Sequence, residues 1–298
     1  MEYEFKTSDE ILKICTKKKI TISELAKRYE MERSGKSQST IRNYMKRTRD
    51  VMYDAIKRGL KSTKKSKFQL SGGDAQKMYL QIKKLRNMMG NKVGIRAMAY
   101  ALAVCEQNAQ MGRIAAFPTA GGAGIIPGVL FSCSEHFHAG KRKLLKGMFC
   151  ASAVGLIIAE GATISAAKGG CQAEVGAATA MAAAGLTEMR GGTPEQCFDT
   201  AAIALKSYLG LVCDPLGGLV EVPCIKRNAL GCQVAIGASD MVMAGINSFI
   251  PFDEVVFAMK NIAKNMSSKH RETALGGLAV TKTGNIVKKK LGLRITKP

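Results

Sequence analysis

Hydrophobic positions recur with helical spacing over most of this chain. Five runs show the period and length of helices, and glycine or proline punctuation separates them: 97–116, 174–185, 194–210, 228–246 and 253–266. Thr193 is placed to cap the third run, with Pro194 at its first helical position. Strand patterns are weak, and the best is LVEVP at 219–223. The pattern predicts an all-α protein, mostly helical with glycine-rich loops.

The first 67 residues are amphipathic and basic, with 19 Lys and Arg against 9 Asp and Glu. Apolar residues mark helical faces at 11–14, 22–26 and 41–45, and Ser23 and Ser39 are predicted N-caps. Two structures fit this pattern. One is a helix-turn-helix DNA-binding motif. The other, which we favour, is a set of amphipathic helices packed on the main body, followed by a polar linker or long loop at 60–74.

Composition narrows the class of protein. A 46% hydrophobic content in 298 residues suits a folded chain with a sizeable core. The net charge of +22 points to a nucleic acid, an acidic partner subunit or only a solvated basic surface. No secretory signal opens the chain, and its most apolar run, 149–159, is far below the ~20 residues of a membrane span. We therefore expect a cytoplasmic protein without a membrane partner.

Three of the nine cysteines lie where helices are predicted to begin or end: Cys171, Cys213 and Cys224. Nine is an odd number, and in a reducing cytosol cysteines serve as thiols, ligands or nucleophiles. Backbone N–H groups at helix ends favour thiolate charge, so these three are candidate metal ligands. No CxxC pair is present, which excludes a zinc ribbon or a ferredoxin-type run.

The other six cysteines are predicted to be inert buried thiols. Four of them lie inside the predicted helices, and the remaining two are less clearly placed: Cys105, Cys150, Cys197 and Cys232, then Cys15 and Cys133.

Five segments resemble the α chain of the bacterial iron–sulfur-dependent L-serine dehydratases (L-serine ammonia-lyases). They read MGRIAAFPTAG (111–121), GGCQAEVG (169–176), LVCDPLGGLVEVPCIKRNA (211–229), IPFDEV (250–255) and RETALGGLA (271–279). The likeness covers about residues 70–285. The charge pattern and the extent of this likeness divide the chain into a basic helical N-terminal segment at 1–67, a helical cluster-binding catalytic domain at 68–285 and a basic tail at 286–298.

The resemblance also implies a cofactor and a reaction. Cys171, Cys213 and Cys224 would hold a [4Fe–4S] cluster with one iron open to substrate. That iron would act as a Lewis acid on the hydroxyl of L-serine, which is converted to pyruvate and ammonia without pyridoxal phosphate. Such an enzyme belongs to amino-acid degradation and gluconeogenesis, and its open iron should make it sensitive to oxygen.

A glycine-rich loop, TAGGAG at 119–124, is the candidate substrate site, with Thr119, Gly121 and Gly122 as binding residues. Its backbone could cradle a carboxylate, or it could be only a tight turn. The resembling family usually reads TAGSCG here, so Gly122 and Ala123 replace a serine and a cysteine. The lost hydroxyl leaves open a related lyase acting on L-cysteine or another β-substituted amino acid.

Polar residues near the motifs supply the remaining candidates. Glu174 lies one helical turn after Cys171 and is the candidate catalytic residue, and Arg271 is a candidate substrate contact. Lys226 and Arg227 are further polar candidates without an assigned role.

Histidine gives no clear general base. The three histidines, His136, His138 and His270, lie in predicted loops or surface positions. The resemblance implies that a separate β subunit brings a Ser-His-Thr motif, which makes the enzyme a hetero-oligomer or dimer of heterodimers. Two alternatives remain: a basic nucleic-acid-binding protein that uses residues 1–67, and a non-catalytic paralogue.

Overall fold

A computed structural model describes residues 2–292 of the chain, with the side chains of that range except those of residues 85–87. Helices make up its regular structure, and no strand forms within the described range. The α-helices are α1 Ser8–Lys18, α2 Ile22–Ser34, α3 Gln38–Lys61, α4 Asp74–Leu80, α5 Lys92–Ala109, α6 Ile125–His136, α7 Lys141–Gly161, α8 Ala166–Gly169, α9 Ala177–Met189, α10 Pro194–Lys206, α11 Cys224–Met243, α12 Phe252–Asn265 and α13 Lys282–Lys290. The predicted all-α class is confirmed.

Shorter helical segments lie at the bends between these helices. They are a π turn at Gln172–Gly176 and 3-10 turns at Gln81–Asn87, Leu216–Gly218, Ser268–His270 and Gly277–Val280. The weak strand pattern at 219–223 does not form a strand. Leu216 N donates to Val222 O at 2.9 Å, which folds these residues back on themselves as turns before α11 begins. No neighbouring strand is available to pair with them in the described chain.

The helix α9 forms the centre of the fold. All of its residues are buried, and it packs against α6, α7, α10 and α11. Its alanine-rich sequence lets these neighbours approach closely. A Cβ placed on Gly185 of α9 would lie 2.5 Å from Gly147 O of α7, so only glycine permits this spacing.

The amphipathic N-terminal helices pack on that body, in agreement with the alternative favoured from the sequence. Helix α2 lies on α7 and α3 lies on α5. Ile11, Leu25 and Met52 are buried in the same hydrophobic cluster that contains α9. Part of the basic tail forms α13, whereas residues 293–298 lie outside the described chain.

The helix caps test the local predictions. Thr193 caps α10 as predicted, in a capping box with Gln196. The predicted caps Ser23 and Ser39 are wrong, because the chain enters each helix two residues earlier. Thr21 accepts from Glu24 N, and Ser37 accepts from Thr40 N. Both segments offer hydroxyl residues two positions apart, at 21 and 23 and at 37 and 39, and the first of each pair takes the capping position.

Within residues 2–292, one helix, α7, is long and apolar enough to cross a membrane by length and composition. Most of it is buried inside the fold, where it packs against α2 and α9. It is therefore a core helix of this structure.

Candidate active site

Three separate loops carry the three motif cysteines, and all three side chains are buried. Cys171 precedes the π turn that leads into α9. Cys213 lies between α10 and α11, and Cys224 is the first residue of α11. The sequence pattern placed each at a helix terminus, and the fold brings these termini together.

Gln172 fastens the Cys171 loop to its surroundings. Its backbone N–H donates to Leu211 O at 3.0 Å, and its side-chain Oε1 accepts from Gly210 N at 3.0 Å. Its Nε2 donates to Met259 O at 3.2 Å. This fully buried side chain therefore joins the π turn to the Cys213 loop and to α12.

Cys213 is fixed by a second pair of backbone bonds. Its N–H donates to His270 O at 2.9 Å, and its carbonyl accepts from Glu272 N at 2.9 Å, which forms an isolated parallel bridge. This bridge brings the RETALGG segment to the cysteines and places Glu272 beside them.

Arg227 lies one turn into α11 and contacts the Cys171 side chain. Its Nη1 donates to Cys171 Sγ at 3.3 Å and to Val212 O at 2.9 Å, and its Nη2 donates to Asp214 Oδ1 at 3.0 Å. Asp214 also accepts from Leu278 N at 2.8 Å. One guanidinium therefore links two cysteine loops and a buried carboxylate.

The three thiols differ in their readiness to ionise. The pKa of Cys171 is lowered, first by hydrogen bonding with the Cys213 thiol and then by the nearby Arg227 charge, which together outweigh burial. The pKa of Cys213 is raised, because the proton stays on that side of the pair and the site is buried. Burial also raises the pKa of Cys224. Cys171 is therefore the favoured thiolate.

The glycine-rich loop 119–124 is fastened to α11 by Asn228. Asn228 Nδ2 donates to Gly121 O at 2.6 Å and to Cys224 O at 3.0 Å, and its Oδ1 accepts from Gly124 N at 3.0 Å. A narrow crevice between this loop and Cys224 is lined in addition by Cys105 and Asn108. The loop that resembles a substrate site thus lies next to the cysteines.

Glu174 faces the same loop from the π turn. A Cβ placed on Gly121 would lie 2.1 Å from Glu174 Oε2, and one on Gly122 would lie 2.8 Å from Glu174 O. Burial raises the pKa of the Glu174 carboxyl, and the nearby Glu272 carboxyl adds to the effect. Burial likewise raises the pKa of Glu272. Two carboxyls of raised pKa therefore lie beside the cysteines.

Thr119 contributes a buried hydroxyl beside Glu174. Its Oγ1 makes no hydrogen bond of normal geometry within the described residues, but it lies close enough to the Glu174 carboxyl to oppose the rise in that carboxyl's pKa. Thr119 and Glu174 therefore form one polar pair at the glycine-rich loop.

The other predicted residues lie at various distances from this centre. Arg271 donates through Nε and Nη2 to Met266 O, at 2.9 and 2.5 Å, which closes its own loop. Lys226 points outward and pairs with Asp74 at 3.3 Å. His136 and His138 are exposed at the far end of α6, about 18 Å along that helix from the glycine-rich loop.

Sequence reasoning missed two site residues, Asn228 and Glu272. Both lie within the quoted motifs, so the signal was present as a polar residue directly after an arginine. Their roles depend on contacts across more than 50 residues of chain, which spacing does not reveal.

All six remaining cysteines are buried and free, as expected of inert thiols. Cys150 and Cys197 nevertheless lie with Glu188 in one group, whose ligand atoms are all within 4.8 Å of one another. This group belongs to α7, α9 and α10 and shares no residue with the motif cysteines.

Comparison with known proteins agrees with this arrangement. The family model for the serine dehydratase alpha chain matches residues 17–279, which include all three motif cysteines and the glycine-rich loop. The chain belongs to this family. The resemblance drawn from the motifs is confirmed.

Relatives of this alpha chain differ in length. A probable L-serine dehydratase alpha chain of Bacillus subtilis is 45% identical over 287 residues, covering 96% of this chain and 95% of that protein. The L-serine dehydratase alpha chain of Peptoniphilus asaccharolyticus is 38% identical, covering 95% and 97%. L-serine dehydratase 1 of Escherichia coli is 36% identical, covering 93% of this chain but 62% of that longer protein.

Proposed function

We propose that this chain is the catalytic alpha subunit of a [4Fe–4S]-dependent L-serine ammonia-lyase, which converts L-serine to pyruvate and ammonia. The observation that carries the proposal is the meeting of three buried cysteines from three separate loops around Arg227, next to the glycine-rich loop. Residues 68–285 would form the catalytic part, residues 1–67 a basic helical segment and residues 286–298 a basic tail.

The donor set fits an iron–sulfur cluster. Thiolates are the ligands of such clusters, and the lowered pKa of Cys171 favours the thiolate form. Arg227 offsets the negative charge, and the buried setting protects the site from bulk water. Cys171, Cys213 and Cys224 would hold the cluster, with no pyridoxal phosphate. When bound, the cluster supplies a Lewis acid for the substrate hydroxyl.

Glu174 is the proposed acceptor of the α-proton. Its raised pKa makes the carboxylate a stronger base than an exposed glutamate, which suits the removal of a weakly acidic proton. Glu272 adds a second carboxyl, and repulsion between the two makes it unfavourable for both to be ionised at once. One of the pair can therefore keep a proton while the other accepts one.

Substrate binding is proposed for the loop and for Arg271. The buried Thr119 hydroxyl, which makes no hydrogen bond of normal geometry in the described residues, can donate to a substrate carboxylate beside Glu174. The two bonds of Arg271 to Met266 O use Nε and Nη2 and leave Nη1 for the substrate.

A separate beta subunit is proposed to complete the site. The chain spans nearly the whole of the two alpha chains but 62% of the longer Escherichia coli protein, so a second polypeptide would supply the remainder. That subunit would bring the Ser-His-Thr motif, in a hetero-oligomer such as a dimer of heterodimers. The enzyme would serve amino-acid degradation and gluconeogenesis in the cytoplasm.

The glycine-rich loop favours one alternative substrate class. A Cβ placed on Gly122 would lie 2.8 Å from Glu174 O and 2.9 Å from Ala178 Cβ, so the loop leaves no room for a side chain at this position. A site without the family's serine hydroxyl could prefer L-cysteine or another β-substituted amino acid. The reaction would be the same elimination with a different leaving group.

The test is anaerobic co-purification with the beta subunit, reconstitution with iron and sulfide, and measurement of iron content and of pyruvate formed from L-serine, L-threonine and L-cysteine. Ala substitution of Cys171, Cys213 or Cys224 should abolish both the cluster and pyruvate formation. Cys232→Ala is the matched control, because Cys232 is buried on the same helix as Cys224 but belongs to the core.

Two results would contradict this proposal. A full cluster and unchanged activity in Cys171→Ala would remove the ligand assignment. Faster pyruvate formation from L-cysteine than from L-serine, at equal cluster content, would favour the alternative substrate.

A further inference from the structure

A large basic cavity lies on the side of the molecule formed by the N-terminal helices. It measures about 730 Å³ and is bounded by the first turns of α2, α3 and α7. Six cationic side chains line it: Lys19, Lys27, Arg42, Lys46, Arg142 and Lys146. These residues come from three parts of the sequence, so the concentration of charge is a product of the fold.

The cavity charge is poorly neutralised. Its single lining carboxylate, Glu24, already pairs with Lys27 and with Arg28. The other five lining cations have no carboxylate within 4.0 Å in residues 2–292. Like charges held in one concavity repel one another, and a bound anion would relieve that repulsion.

Helix N-termini add to the same field. The cavity is lined by Thr21 and Ser23 at the start of α2 and by Gln38 and Ser39 at the start of α3. At α2 the Ser23 N–H already donates to Glu188 Oε2 and the Glu24 N–H to Thr21 Oγ1, so the start of α3 is the helix end that contributes to anion binding. The first N–H groups of a helix have no partner within the helix, and the helix dipole makes this end favourable for anions. Each of these helices has more than ten residues, so the dipoles are well developed.

Three apolar side chains also line the cavity: Ile20, Leu145 and Phe149. A volume of about 730 Å³ is in the usual range of small-molecule sites, and a lining of apolar and cationic side chains suits a ligand that has both an organic part and several negative charges. A single phosphate would leave most of the space and most of the cations unused.

We propose that this cavity binds a nucleoside triphosphate, with its polyphosphate chain on the cations and the N-terminus of α3 and its base against the apolar side chains. The site is distinct from the proposed active site. The cavity uses the first half of α7, whereas the Cys171 loop follows the last turn of that helix, whose full length is about 30 Å. It also gives the strongly basic N-terminal segment a specific task.

The test is isothermal titration of the full-length chain, alone and with its beta subunit, at 50 mM and 200 mM salt. The probes are ATP, adenosine and inorganic tripolyphosphate. ATP should bind and should weaken as salt rises, and adenosine should not bind measurably. Arg42→Gln with Lys146→Gln should weaken ATP by about tenfold or more, since two charge-assisted bonds are lost.

The matched control is Lys260→Gln with Lys264→Gln. It makes the same change of charge on exposed residues of α12 that do not line the cavity. ATP affinity should stay within about twofold of the wild type, because exposed charges beyond a Debye length act weakly.

Several results would overturn the proposal. An equal loss of ATP affinity in the control pair would show that ATP binds through the general positive charge of the protein and not through the cavity. Tripolyphosphate as tight as ATP would make the cavity a site for inorganic polyphosphate. Loss of ATP binding when the beta subunit is present would make this face a subunit interface, and tighter binding of a short DNA duplex at the same residues would assign it to nucleic acid.

Discussion

Asn228 holds Gly121 against the start of α11, with Asn228 Nδ2 and Gly121 O 2.6 Å apart. The same amide also bonds Cys224 O and Gly124 N, so one buried side chain sets the distance between the glycine-rich loop and a cysteine of the proposed cluster. This geometry is suited to an amide, which both donates and accepts.

Asn228→Asp should therefore damage the loop while preserving side-chain shape. The carboxylate can still accept from Gly124 N but cannot donate to Gly121 O or Cys224 O, which leaves two buried carbonyls facing a negative charge. We expect a loss of about 1–3 kcal/mol in the free energy of unfolding, together with a raised KM. Urea unfolding and pyruvate assays measure both. Asn247→Asp, an exposed asparagine, is the control, and equal losses in both variants would contradict the role of Asn228.

Substitution of Arg227 tests whether its ion pair with Asp214 stabilises the fold. Its partner Asp214 has a side chain 5% exposed, so Arg227→Gln would leave a buried carboxylate without its cation. We expect a loss of about 3 kcal/mol or more in the free energy of unfolding, because an unpaired buried charge is strongly unfavourable.

The double variant Arg227→Gln with Asp214→Asn tests the cause. Removal of both charges should recover much of the stability of the single variant, since no charge is then stranded. Iron content should stay low in both variants, because the contact with Cys171 Sγ is missing in each. A double variant as unstable as the single variant would show that the ion pair is not responsible.

Much of the fold could be predicted from hydrophobic periodicity, because helices such as α10 and α12 carry their signals locally. The weak strand pattern at 219–223 did not become a strand, since five residues do not specify a partner strand. The cap positions failed because hydroxyl residues lie at both 21 and 23 and at both 37 and 39, and local sequence does not choose between them.

The candidate site was likewise only partly predictable from the sequence. The three cysteines and Glu174 could be proposed from motifs, because short contexts around them are distinctive. The joining of Cys213 to the 270–272 segment, and of Asn228 to Gly121, depends on contacts between distant parts of the chain. The basic cavity could not be predicted from the sequence for the same reason, since Arg42 and Arg142 are 100 positions apart.

Gly122→Ser tests whether the family's serine can simply be restored. A Cβ at this position would lie 2.8 Å from Glu174 O and 2.9 Å from Ala178 Cβ, so backbone or helix α9 must move. We expect a loss of about 1–3 kcal/mol in the free energy of unfolding from overpacking, with no gain in turnover of L-serine. Gly140→Ser is the control, because no atom lies within 4 Å of its Cβ position. An active, stable Gly122→Ser protein would show that the loop adapts easily.

Glu188 makes the stability of the fold depend on pH. Its Oε2 accepts from Ser23 N at 3.0 Å, whereas Oε1 has no partner in the described residues. Burial raises the pKa of this carboxyl above the usual 4.5, so the folded state binds its proton more tightly than the unfolded state. The stabilising contribution is complete below pH 4.5 and is lost as the pH rises through the folded-state pKa.

Glu188→Gln should remove this dependence, because an amide keeps the shape and the acceptor for Ser23 N but carries no charge. The difference in unfolding free energy, wild type minus variant, should therefore fall as the pH is raised from 4.5 to neutral. Urea unfolding across that range gives the slope. Glu195→Gln, at an exposed position, should keep the wild-type slope. If the Glu188→Gln and wild-type curves run parallel, the folded and unfolded pKa values are equal and the buried carboxyl is not the source.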